Sequence, residues 1–166
     1  MIEKELENLL NQDEGEAVEC KPKLLQRHEI AEYAVGIGNA GGGYLIMGVS
    51  DRIPRKILPI PIPIQDDLAR IRESVADSAQ IHLTVEVVPT EKGAVIVATI
   101  PARPRGILFH TRDGKYLIRL GGGLRGMTIA EIDSIRRSSP GRVGISCRST
   151  IVHRKCQGAC FGSFRR

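Results

Sequence analysis

The sequence predicts an α+β fold: a mixed or antiparallel sheet of about six short strands with three to four helices packed on it. Three observations point there. Apolar residues recur at helical spacing in several separate stretches, and short apolar or alternating runs bounded by Gly, Pro and Asp lie between them. The order is helix, strand, helix, strand, then helix and two strands, then a further strand pair and a last helix, unlike the strict alternation of a doubly wound sheet. The 166 residues suit one domain with a sizeable core, and with aromatics at 4% and no Trp that core is built from Ile, Leu, Val and Ala.

Each element has its own signal. Ile2, Leu6, Leu9 and Leu10 share a helical face, which predicts a short helix over about 2–11. "EAVECKP" alternates and stops at Pro22, as a strand does. Ile30, Tyr33, Ala34 and Ile37 predict a second helix over about 26–38. "GGYLIMGVSD" is an apolar run of strand length and reads as buried. Pro54, Pro59, Pro61 and Pro63 make the next stretch an extended connector or edge segment, because proline removes a ladder donor. Leu68, Ile71, Val75 and Ala79 predict a third helix with Asp66 or Asp67 as its N-cap. Residues 81–89 and 93–100 read as two strands around "TEKG". "ILFHTRDGKYLIRL" reads as a second hairpin turning at Asp113-Gly114, "GGGLRGMT" as a loop, and Thr128 as the N-cap of a last helix.

Gly36, Gly38 and Gly41 spell the G-x-G-x-x-G of dinucleotide sites, but the context is reversed. In a Rossmann unit a strand leads through glycines to a helix N-terminus, whose free N–H groups face the pyrophosphate. Here a helix leads through glycines to a strand, so the helix end facing the loop carries carbonyls, which repel phosphate. The expected role is structural: Asn39 and the glycines end the helix and let the next strand start close to another backbone. No P-loop motif occurs.

Charge is unevenly placed. The formal net charge is +5, but residues 136–166 hold eight basic residues and no acidic one, which leaves −3 on the rest. A basic segment of this kind suits phosphate contacts. No apolar stretch approaches the ~20 residues of a membrane span, and the acidic N-terminus lacks the order of a signal peptide, so a cytoplasmic protein without membrane contact is expected.

Chemistry concentrates in "DEGEAVECKPK". Glu19 and Lys21 stand two apart on a strand and face the same side. Asp51 ends the following strand. If the two strands are neighbours, Asp51 joins Glu14 and Glu19 at one end of the sheet. Such carboxylates beside a lysine suit Mg²⁺ or Mn²⁺. A solvated acidic strand entry with local ion pairs is the plainer reading.

Two stretches taken together, "EGEAVECKPK" and "GNAGGGYLIMGVSD", resemble the AlbA-like (AlbA_2) domain of the Schlafen family. Cys20 stands where an aromatic is usual there, and Gly36-Ile37-Gly38-Asn39 replaces the usual A-F-A-N. "YLIRLGGGLRGMTIAEI" resembles a later segment of the same family. The resemblance implies a nucleic-acid-binding α+β domain, a partner in RNA or DNA, and in some relatives a regulator. In others it implies a Mg- or Mn-dependent endoribonuclease using three carboxylates; carried onto this chain these are Glu14, Glu19 and Asp51, with Lys21 beside them as a phosphate contact. Lys23, Arg112, Lys115, Arg119 and Arg125 are further candidate nucleic-acid contacts. Arg119 lies between Ile118 and Leu120 and so faces away from both. A protein-interaction role, as a homodimer pairing through a strand edge, is the third expectation. The domain is expected over 1–136. The basic Gly/Ser/Arg/Cys-rich tail, 137–166, is expected to be disordered; its Cys147, His153, Cys156 and Cys160 have a spacing that fits no common zinc finger.

Overall fold

In the computed structural model, residues 3–11, 15, 17–58, 60–61, 65–90 and 93–138 are described. The order of elements among them is α1 (Glu3–Leu10), β1 (Val18–Lys21), α2 (Arg27–Ala40), β2 (Gly43–Met47), α3 (Gln65–Ala79), β3 (Thr84–Thr90), β4 (Gly93–Ile100), β5 (Leu117–Leu120), β6 (Gly123–Gly126) and α4 (Ile129–Arg137). The α+β expectation is met, with the six strands divided between two sheets. One is mixed and four-stranded, in the order β1-β2-β4-β3; the other is the β5-β6 hairpin.

β1 pairs β2 in parallel, with Glu19 opposite Leu45 and Lys21 opposite Met47. β4 is antiparallel to both its neighbours. Alternation along the strands sends side chains to two cores. On one face, Leu45, Met47, Ile96 and Ala98 pack with α2 and α3. On the other, Val18, Cys20, Ile46 and Val97 pack with Leu6 of α1. Strand parity therefore puts Glu19 and Lys21 on the α2 face, among apolar neighbours.

α2 is buried nearly all round, because the main sheet and α3 lie to one side of it and the β5-β6 hairpin to the other. Gly36 and Gly38 make the second contact possible. A Cβ at Gly38 would stand 2.7 Å from the Phe109 ring, and one at Gly36 would overlap Leu124. The helix then ends where a φ of 131° at Gly41 and 85° at Gly42 takes the chain out of the helical region.

The structure corrects three expectations. Asn39 does not end the helix; it lies inside α2, buried. The chain turns at Asp113-Gly114 without a strand ladder; the second strand hairpin is β5-β6, turning at Gly121-Gly122 inside the stretch expected to be a loop. Neither Asp66 nor Asp67 precedes α3; both lie in its first turn, where acidic side chains favour the positive end of the helix dipole. The tail beyond Ser138, including its cysteines, lies outside the described residues.

Candidate functional site

The most confined charges form a triad. Glu19 is 4% exposed, yet its carboxylate meets two cations: Lys21, at 2.7 Å, and the guanidinium of Arg119 from β5. Arg119 is completely buried. Its Nε donates to the carbonyl of Gly15 at 2.9 Å and its Nη2 to that of Val18 at 3.2 Å. β1 is an edge strand, so Arg119 both neutralises a buried carboxylate and satisfies backbone on an otherwise open edge. Lys21 also lies 5.1 Å from the centroid of the Tyr33 ring. Burial alone pulls the Lys21 ammonium down, but its hydrogen bonds and charge attraction to Glu19 and Tyr33 outweigh that and hold it above the ordinary lysine range.

A second assembly is built on Asn39 of α2. The segment from Phe109 to Leu117 projects as a finger, and Asn39 pins both ends of its base. The Asn39 amide donates to the carbonyls of Phe109 (2.9 Å) and Leu117 (2.8 Å), and its Oδ1 accepts from the Phe109 N–H at 3.0 Å. Nearer the tip, Thr111 N–H donates to the Lys115 carbonyl at 3.0 Å, and Lys115 N–H donates to the Thr111 hydroxyl at 3.1 Å. The turn anticipated at Asp113-Gly114 is thus present, held by side chains and single bonds instead of a strand ladder.

This finger, the start of α2 and the exposed flank of α3 enclose a groove of about 970 Å³. Leu25, Ala31 and Ile71 contribute apolar lining, and Arg27, Arg70, Arg112 and Lys115 bring four cationic side chains from three elements. All four are exposed. Lys115 is paired with Glu32 at 3.2 Å, while Arg27, Arg70 and Arg112 carry no ion pair among the described residues. Glu32, Asp67 and Asp113 share the lining and moderate the field.

On the hairpin side, Arg125 grips Glu131 with two bonds, 2.6 and 3.0 Å, and Glu131 also closes a capping box with Thr128 at the start of α4. Arg125 first, then the Thr128 backbone and hydroxyl, hold the Glu131 carboxyl down at about 2.

The amino-acid sequence matches the family model for Schlafen, AlbA_2 over residues 14–128, more than half of the chain. The chain belongs to the Schlafen AlbA_2 family. No curated protein matches it. Among solved structures it is similar to the DIP2311 protein from Corynebacterium diphtheriae, with a TM-score of 0.61 and 16% identity over 83% of this chain. That likeness spans 32% of the Corynebacterium protein, so this chain corresponds to about a third of it. It is also similar to the N-terminal domain of a DNA helicase RecG-related protein from Nitrosomonas europaea, with a TM-score of 0.51 and 16% identity, over 86% of this chain and 95% of that one. At such identities the likeness speaks to the fold.

This Schlafen AlbA_2 domain distributes the residues singled out in its sequence over several places. Lys21 and Glu19 meet as the strand spacing requires. Glu14 lies outside the described residues, and Asp51 is exposed, four residues beyond Met47 where β2 ends. Among the described residues no group of three or more His, Cys, Asp or Glu side chains is placed to hold a metal ion. Glu19 in particular turns its oxygens to Lys21 and Arg119, so the described donor set does not fit a divalent cation. Arg112 and Lys115 reach the groove, Lys23 is exposed in the turn after β1, Arg125 is tied to Glu131, and Arg119 points inward. Sequence reasoning missed Arg27, Arg70 and Asn39. The first two lie on elements far apart in the chain and share no motif; Asn39 carried a signal, a polar residue within an apolar helical run, but one that equally suits a helix end.

Proposed function

We propose that this domain binds nucleic acid through its phosphate backbone in the groove between α2, α3 and the finger. The observation that carries the reading is the convergence of Arg27, Arg70 and Arg112, none ion-paired among the described residues, with Lys115 on one open groove. Guanidinium groups suit phosphate because their fork of donors matches its oxygens. Membership of the Schlafen AlbA_2 family and the likeness to a DNA helicase-related N-terminal domain support the same ligand class. Contacts of this kind position a backbone and read little sequence.

The test is a mobility shift with labelled structured RNA and with duplex DNA, in Mn²⁺ and in EDTA, scoring cleavage in the same lanes. A shift of similar size in both buffers, lost in the Arg70→Glu/Arg112→Glu double variant, is the expected result. An unchanged shift in that variant overturns the groove assignment. Mn²⁺-dependent cleavage that disappears in Glu19→Gln would replace it with the nuclease reading.

A further inference from the structure

The two residues that flank the finger's turn, His110 and Tyr116, face each other across it. Their ring centroids are 5.6 Å apart at 66°, an edge-on contact. Arg136, in the last turn of α4, places its guanidinium 5.8 Å from the Tyr116 centroid and its Nη2 3.4 Å from the Tyr116 hydroxyl. His110 is exposed and Tyr116 half-buried. Packing does not require this exposure. Phe109 and Tyr33 pack against the α2-side core and Tyr44 against the other, whereas the Tyr116 ring faces His110 and Arg136. At 5.8 Å the guanidinium is within cation–π range of the Tyr116 ring, and Tyr116 stays partly exposed.

We infer that this cluster of His110, Tyr116 and Arg136 takes an unpaired nucleobase, making single-stranded nucleic acid the preferred ligand. The inference rests on the groove's binding of the phosphate backbone. Imidazole, phenol and guanidinium groups all stack on bases, and stacking tolerates any base because each has a π-face. Lys115 lines the groove and Tyr116 is the next residue along the chain, so a strand whose backbone lies in the groove runs beside the cluster. In a duplex the base faces are covered by their neighbours, so only an unpaired base gains this contact. Asn39 at the base of the finger and the Thr111–Lys115 bonds at its tip hold the platform in shape before ligand arrives.

Fluorescence anisotropy on the full chain tests this with a short single-stranded RNA, the matching DNA strand and a duplex of the same sequence. The wild type is expected to bind either single strand roughly fivefold or more tightly than the duplex. Tyr116→Ala is expected to lose that margin while its duplex affinity stays the same, and Tyr116→Phe, which keeps the ring, to retain it. A 2-aminopurine in the strand should be quenched on binding by the wild type and less so by His110→Ala. Single-strand affinity unchanged in Tyr116→Ala overturns the inference, and so does an equal loss on single strand and duplex. Those results leave the groove standing; failure of every nucleic acid to bind removes the groove reading and this one together.

Discussion

Arg119 and Glu19 hold each other in a buried place, with Lys21 as the second cation on the carboxylate and the Gly15 and Val18 carbonyls as further acceptors for the guanidinium. A buried carboxylate without a partner costs several kcal/mol, and removing one partner of such a pair strands the other. Arg119→Ala is therefore expected to destabilise the domain by about 3–5 kcal/mol in urea unfolding, whereas replacing Glu19 and Arg119 together by Met should cost far less. Equal losses in the two variants would mean that the pairing is not what matters there. Asn39→Ala leaves the backbone groups at the base of the finger with fewer partners and should cost about 1–3 kcal/mol. At this scale the sequence was only partly legible. Alternation showed that Arg119 opposes Ile118 and Leu120, but a polar residue flanked by apolar ones ordinarily points outward. Its actual direction depends on acceptors such as Gly15, 104 residues away, which no local pattern exposes. Glu19 and Lys21, two apart on one strand, were readable because their contact is local.

Among the elements, the strands and helices with a strong period were legible to within a few residues, as Ile71, Val75 and Ala79 on α3 show. The β5-β6 hairpin was not, because "GGGLRG" has the composition of a loop and its pairing depends on Gly36, which lets Leu124 approach α2. The same close packing bears on Gly38. Gly38→Val would press on Phe109 at the base of the finger; a loss of about 1–3 kcal/mol of stability is expected, with a larger loss of nucleic-acid affinity than stability alone explains. The α4 capping box adds a pH dependence. Folding lowers the Glu131 carboxyl from 4.5 to about 2, so its contribution is present above the unfolded value and is lost as pH falls from about 4.5 through 2. Because Glu131 and Arg125 are solvent-accessible, the effect is small and salt-sensitive. Acid unfolding of Glu131→Gln should lack this segment of the pH profile; a curve that overlays the wild type would show the box contributes nothing.

At the scale of the whole molecule, the proposed binding sets an anionic partner against a body that is itself slightly acidic. Outside the basic C-terminal stretch the formal charge is −3, so net attraction cannot be general and must come from local convergence of cations. The groove supplies that convergence, and the finger gives it a fixed wall. Residues 139–166 are expected to add affinity without specificity, so their deletion should weaken binding similarly for all nucleic acids. None of the described helices is long and apolar enough to cross a membrane. The family was legible from the paired stretches around Glu19 and Gly41, whereas the groove was not, since Arg27, Arg70 and Arg112 become neighbours only after α2, α3 and the finger assemble. The most direct test of the groove is the salt dependence of single-strand affinity, measured for the wild type and for Arg70→Ala/Arg112→Ala. If both arginines contact phosphate, the slope of log K against log salt should become shallower by roughly 1.4 in the double variant, since each phosphate contact contributes about 0.7. A slope that does not change would show that the phosphate backbone is held elsewhere.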